Sequence, residues 1–468
     1  MRARLRNIWE GIASSLWLVP ALLVAGAGAL AALTLLVDEL VPELRGLRPW
    51  LFGGTASAAR GLLGNVAGSL ITVVALAFSV TIVAIQQASS QFSPRVIRNF
   101  MRDRGNQVVF GAYSATFVYA LLILRQVRED RDGASEFIPA LSVTVALLLA
   151  LVCVGLLIYF IHHTATSLQV ATIIDNIRRE VERQLDELYP ADAGAALGEG
   201  RQTAGAPPLP DGPPALIVRS PGAGFLLALD VDTLTKALSD DGVIARVRPA
   251  IGDFVLTGAP LLDLWGSEAG IQEDQAARLA GLFALGRERS HRQDLLFGVR
   301  QLVDIALKAL SPGVNDPTTA EHCLNHLADI VARLAGRPFP DPWRITPGGA
   351  LLVLNRPDFP EIVESAFAQI RRTAANDAHV TGHLLDRLAE IAPRATAPER
   401  RAALRRQVRL VLEALDRQGF TDGDRHELLD RAHAAFASLG DDLPVPVAAG
   451  TGDPSDGGHP SPTAASRR

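Results

Sequence analysis

Lysine is nearly missing from this chain: Lys236 and Lys308 stand alone among 45 basic residues, the rest being arginine. Cysteine is equally scarce, with two copies. Cys153 inside an apolar run and Cys323 far downstream make neither a disulfide framework nor a zinc site. A net charge of -5, with no basic block outside the flanks of apolar stretches, excludes a nucleic-acid binder. No Gly-rich phosphate loop, Gly-x-Ser-x-Gly elbow or Cys/His nucleophile pair occurs, so the expectation is a non-enzymatic protein without cofactor or metal.

Charge is missing above all from four runs, Leu16 to Val37, Gly61 to Ile85, Asn106 to Leu124 and Phe137 to Ile161. Each is about as long as the roughly 20 helical residues that cross a bilayer core. They account for a positive mean hydropathy of +0.20, which rules out a purely soluble chain. The first run is longer than the apolar segment of a signal peptide and has no obvious cleavage site before Asp38, so it reads as a retained span. Arg2, Arg4 and Arg6 at the N-terminus, and Arg95, Arg98, Arg102 and Arg104 after the second span, place both flanks in the cytoplasm. The other two loops offset their arginines with Asp and Glu. Four spans return the C-terminal part to the cytoplasmic side.

In the second span Asn65, Thr72, Ser79 and Gln86 recur every seven residues, nearly two helical turns, and form one stripe. Such a stripe is either a helix-helix seam, favoured by Gly61, Gly64, Gly68 and Ala75, or the wet wall of a pathway. No span holds an Asp, Glu, Lys or Arg, which argues against a proton-coupled pump. Beyond the span, Pro94 sets a turn. Arg95, Arg98 and Arg102 then repeat at helical spacing around Ile97 and Phe100, as candidate contacts to lipid phosphate or as ordinary positive flanking.

Phe78-Ser79-Val80-Thr81-Ile82-Val83 leading into Ser89-Ser90-Gln91-Phe92-Ser93-Pro94-Arg95, and Tyr159-Phe160-Ile161-His162-His163 leading into Thr166-Ser167-Leu168-Gln169-Val170, resemble the bacterial membrane-protein family called domain of unknown function 2254. The similarity continues through Gly252-Asp253-Phe254-Val255 and from Asp294 to Ala320, and reaches about Leu439. It implies a bacterial inner-membrane protein and brings no reaction, ligand or catalytic residue.

After the fourth span, residues 162–190 read as a helical stalk. Its apolar edge Val170, Ile174, Ile177, Val181 and Leu188 either zips to copies of itself or packs on the domain below. Residues 191–214, rich in Ala, Gly and Pro, read as a linker. Short apolar runs with Gly-containing turns over 215–267 predict a small β-barrel with one inserted helix, Asp230 to Ser239. Gly252 to Leu261 resembles the strand-turn-strand of biotinyl and lipoyl carrier folds. That family modifies a Lys at a hairpin tip, whereas Lys236 falls in the inserted helix, so the fold element is expected without its cofactor.

Residues 268–440 read as a helical domain and 441–468 as a disordered tail. Within the helical stretch, Asp316 with Pro317 predicts a capped helix start. Asn315, Asp316, Thr318 and Thr319 there form a capped turn or an anion site for a small anionic effector. His322 with His326, and His379 with His383, have helical metal spacing but lack the Glu of the His-Glu-x-x-His signature, and no metal is expected. The sequence therefore reads as four transmembrane helices over residues 1–161 followed by a cytoplasmic α+β part. Its partners are the lipid bilayer and copies of itself. Two functions fit: a homo-oligomeric channel or passive transporter with a cytoplasmic vestibule, or a membrane-anchored sensory or interaction scaffold.

Overall fold

Where water is absent, a single segment satisfies all its backbone groups only as a helix, and each charge-free run forms one. These are α1 Leu18–Leu40, α2 Ala56–Gln91, α3 Arg104–Gln126 and α4 Ala140–Ser167, all long and apolar enough to cross a membrane. The computed structural model describes residues 17–40, 51–91, 104–128, 137–190, 209–238, 242–266, 273–346, 349–415, 417 and 419–440. The N-terminal arginines 2, 4 and 6, the candidate lipid contacts Arg95, Arg98 and Arg102, the linker up to residue 208 and the tail 441–468 lie outside the described residues.

α3 packs against the other three spans and buries Tyr113, Tyr119 and Ile123. Polar contacts fix the alternation of the bundle. Asp38 near the end of α1 accepts from the backbone amides of Leu141 and Ser142, both at 3.0 Å, and from the Ser142 hydroxyl at 2.7 Å, so its carboxylate caps the start of α4. Arg60, in the first turns of α2, donates to the Val127 carbonyl beyond the end of α3 at 2.9 Å. The end of α1, the start of α2, the end of α3 and the start of α4 therefore share one end of the bundle, and the start of α1 and the end of α4 share the other. The large apolar side chains left exposed lie almost entirely on these spans. Among the described residues elsewhere, only Trp17 just before α1, Phe254, Leu256 and Val314 are comparably exposed.

Helix α4 breaks at Gln169, whose backbone is extended (φ -67°, ψ 131°), before α5 Val170–Leu188 resumes. Three contiguous units follow. The first holds β1 Leu216–Arg219, β2 Gly224–Leu229, α6 Val231–Ala237, β3 Ile244–Val247, β4 Phe254–Val255, β5 Pro260–Trp265, α7 Glu273–Ala280 and β6 Phe283–Gly286. Next come α8 Leu295–Ala309, α9 Pro317–Ala335 and the hairpin β7 Trp343–Ile345 with β8 Leu351–Val353. The last is α10 Phe359–Thr373, α11 Ala378–Ile391, α12 Pro398–Leu415 and α13 Asp422–Ser438. Asp294, Asp316, Asp358 and Asp377 each accept from the amide three residues on and start α8, α9, α10 and α11.

The expected β-barrel is not closed. The five expected strands and the inserted helix form, and Lys236 lies in α6, but the strands divide between two open sheets. One has the order β1-β5-β3-β8-β7 and the other β4-β2-β6. β3 pairs in parallel with β8 and β2 antiparallel with β6. Strands β6, β7 and β8 thus come from the stretch expected to be wholly helical. Three or four residues are too few to show a period of two between long helices, and their pairing partners lie far away in sequence. Nothing in the sheet order carries the likeness to biotinyl or lipoyl carriers further.

The stalk resolves its two alternatives. Ile174, Ile177, Val181 and Leu185 are buried with residues of α8, α9 and α10 in one core, so the apolar edge of α5 is spent on the chain's own helical domain. The approach is close: a Cβ at Gly298 of α8 would stand 2.2 Å from Val181 Cγ2. Arg337 closes the end of α5, donating to the Tyr189 carbonyl at 3.0 Å and to Asp186 at 2.7 Å.

Candidate functional site

The polar stripe of α2 points straight away from its own bundle. Leu63, Leu70, Ala77 and Ala84 are the buried residues at seven-residue steps. Asn65, Thr72, Ser79 and Gln86 each follow one of them by two positions, about 200° around a helix of 100° per residue. All four are exposed, and Cβ atoms at Gly61, Gly64 and Gly68 would meet nothing within 4 Å. No described helix of the same chain covers this face. Along it, Asn65 and Gln86 are about 31 Å apart at 1.5 Å rise per residue, close to the roughly 30 Å of a hydrocarbon core. Thr72 and Ser79 fall between these two boundaries, and the Thr72 hydroxyl donates back to the Gly68 carbonyl at 3.0 Å.

The family-like segments at the ends of α2 and α4 meet through α3. Phe110 stacks edge-on with Phe78 at 6.1 Å and with Phe160 at 6.0 Å. Tyr159 stacks on His163, with centroids 5.2 Å apart.

At the turn before α9, Asn315 takes a left-handed backbone (φ 48°). Asp316 uses both oxygens on Thr319, accepting from its amide at 3.1 Å and its hydroxyl at 2.6 Å. A carboxylate therefore already fills the end of the helix where an external anion would sit. The histidine pairs do not converge: the His322 and His326 rings of α9 lie 5.2 Å from each other, and the pair on α11 meets other groups of α9. His379 contacts Glu321 at 2.7 Å and His383 contacts Asn325 at 2.8 Å. Burial pulls the His326 and His383 imidazoles below their ordinary value. Among the described residues, no three His, Cys, Asp or Glu side chains gather as a metal site.

A cavity of about 610 Å³ opens where the strands, the helical core and the end of α5 meet. Leu226 and Leu229 of β2, Leu285 of β6, Leu354 and Arg356 after β8, and Tyr189 at the end of α5 are among its lining residues. The Tyr189 phenol, lifted to about 12 by burial, donates to the Pro357 carbonyl at 3.2 Å. Gln293, also in the wall, holds a left-handed backbone (φ 60°) and clasps Leu229, accepting from its amide at 3.1 Å. Beside it Arg289 grips Asp294 with two bonds of 2.8 Å. Gly252 (φ 94°) leaves room for that pair, since a Cβ there would lie 2.6 Å from Arg289 Nη2 and from Asp294 Oδ2. Two segments that carry the family resemblance, Gly252-Asp253-Phe254-Val255 and the one beginning at Asp294, are thus in contact at the cavity.

Arg356, after β8, has Arg344 of β7 and Tyr189 at the end of α5 as neighbours, and no motif announces it. Its only sequence signal is the turn Asn355-Arg356-Pro357-Asp358 between a short strand and a capped helix.

Four apolar helices with lipid-facing side chains and a mixed helix-and-sheet part define an α-helical multi-pass membrane protein. The model of the family described as Predicted membrane protein (DUF2254) matches residues 13–390, and the chain belongs to that family. It is 36% identical over 445 residues to uncharacterised proteins of Mycobacterium bovis and Mycobacterium tuberculosis, a match covering 93% of this chain and 82% of each of those. No solved structure matches it.

Proposed function

We propose that the chain is a non-enzymatic, multi-pass protein of the bacterial inner membrane, with both termini cytoplasmic, that assembles with copies of itself on the outward face of α2. In this reading the face lines a passive path for ions or small solutes, and the sheet-and-helix part forms its cytoplasmic vestibule or gate. The observation that carries it is the opposition of the two heptads in α2. The residues that pack inward leave Asn65, Thr72, Ser79 and Gln86 on the far side, where hydrocarbon alone offers the Ser79 hydroxyl no partner. Water or a second copy meets that need.

A second reading, a membrane-anchored sensory or interaction scaffold, draws support from the same helix. Thr72 satisfies its own hydroxyl, and Asn65 and Gln86 fall at the hydrocarbon boundaries, so the stripe also suits a dry seam between copies. Cysteines at positions 72 and 79 separate the two. Modification of both by small hydrophilic thiol reagents, with cysteines at Val73 and Val80 protected, together with solute flux through reconstituted liposomes, supports the path. Exclusion of the reagents at both stripe positions without flux leaves the scaffold.

A further inference from the structure

The cavity beside α5 contains a cation that the fold does not use. Arg356 Nη1 is buried without a hydrogen-bond partner, and Arg356 makes no ion pair among the described residues. Nearby, Arg344 is 1% exposed. Its Nη1 goes to the carbonyls of Asp341 and Trp343, while Nε and Nη2 have no partner. Burial first, and then the like charge of Arg344, draw the Arg356 guanidinium below the ordinary arginine value.

The acids around the cavity do not pair with Arg356: Asp358, two residues on, caps α10 through the Glu361 amide at 2.8 Å, and Glu361 is exposed. Asp294 is held by Arg289 and by the Phe297 amide, and Asp230 caps α6 through the Thr233 amide. Glu187 and Asp232 are exposed to water. Arg356 as a whole is half-buried; a partly desolvated cation without a counter-ion is costly to a fold, so its retention at the wall of an open cavity calls for a negative group from outside the chain. The volume is that of a site for an organic molecule rather than for a bare inorganic ion, and Leu226, Leu229, Leu285 and Leu354 offer it apolar surface.

We propose that this cavity is a binding site for a small organic anion, its carboxylate, phosphate or sulfonate group held by Arg356 and its apolar body lying on the leucines of β2, β6 and the end of β8. The site stands apart from the α2 path, so neither reading depends on the other.

The test uses the full chain in nanodiscs, with empty nanodiscs as reference, and two probes that share a ring system: naphthalene-2-sulfonate and neutral 2-naphthol. Calorimetric titration should show one sulfonate bound per chain, more tightly than naphthol by about tenfold or more, the scale of a charge-assisted hydrogen bond. Arg356→Met should erase that preference. Without probe, the same variant should unfold at a higher temperature than the parent, because an uncompensated buried charge is gone. No binding of the sulfonate, equal binding of the two probes, or unchanged preference in Arg356→Met would overturn the proposal. A lowered unfolding temperature, or failure of the variant to fold, would make Arg356 a structural residue and overturn it as well.

Discussion

Replacing Gly298 by alanine sets helix preference against packing, and the structure decides the sign. In the first turn of α8 the change alone would favour the helix by at most about 1 kcal/mol. The new Cβ would lie 2.2 Å from Val181 Cγ2, where an ordinary carbon contact needs about 3.5–4.0 Å. Val181 cannot step aside, because it is fully buried and a valine in a helix keeps essentially one rotamer. Relief therefore requires α5 to move off α8. Overpacking costs about 1–3 kcal/mol, and an overlap this deep in a buried seam belongs at about 3, so with the propensity gain subtracted the expected loss is about 2 kcal/mol. At roughly 2–4 °C per kcal/mol for a unit of this size, thermal unfolding of the detergent-solubilised chain, followed by tryptophan fluorescence, should shift down by several degrees. Val181→Ala alone also destabilises by leaving a cavity. The double variant should lose less than the two singles together by about 1 kcal/mol, since the alanine at 181 accepts the new methyl. A rise in midpoint for Gly298→Ala would refute the seating of the stalk on α8.

Gly252→Ala should be more damaging than an ordinary surface change. The backbone there is left-handed (φ 94°), and the Cβ would strike both partners of the Arg289–Asp294 pair at 2.6 Å. A loss of about 2 kcal/mol or more in denaturant unfolding is expected, and a loss within about 0.5 kcal/mol would contradict the geometry. His383, kept neutral by burial, titrates lower in the folded chain than in the unfolded one, so the unfolded chain takes up the proton first. Its contribution to stability is full above the unfolded value of about 6.5 and is lost as pH falls below it. His383→Gln, which keeps a polar group near Asn325, should flatten the fall in unfolding temperature between about pH 7.5 and 5.5. An identical fall in both proteins would remove His383 from the acid response.

The membrane half was legible because each span is an uninterrupted charge-free run, long enough to force a helix, and because even span number ties the two ends of the bundle together. The capped starts at Asp294, Asp316, Asp358 and Asp377 follow from local chemistry, and the one at Asp316 is marked in the sequence by the proline after it. The sheets were half legible. β1 to β5 announce themselves through Gly-containing turns, whereas β6, β7 and β8 acquire their identity only from distant partners. The stripe of α2 was visible as a period of seven, but its direction was not, since both heptads of the helix are compatible with packing until neighbouring helices choose one. The cavity was invisible. Arg356 and Arg344 look like any other arginines in a chain where nearly every basic residue is arginine, and only three-dimensional packing leaves Arg356 without an ion pair among the described residues.

The central claim is that the face of α2 carrying Asn65, Thr72, Ser79 and Gln86 meets another copy of the chain. Its most direct measurement is site-directed cross-linking in native membranes with a short bifunctional thiol reagent. Background is low because Cys153 and Cys323 are both buried. A cysteine at Ser79 should join copies into covalent dimers, and one at Ala77, about 200° around the helix and buried against its own bundle, should not. Cross-linking at Ala77 and not at Ser79, or a monomeric mass with no cross-link at either position, would contradict the account.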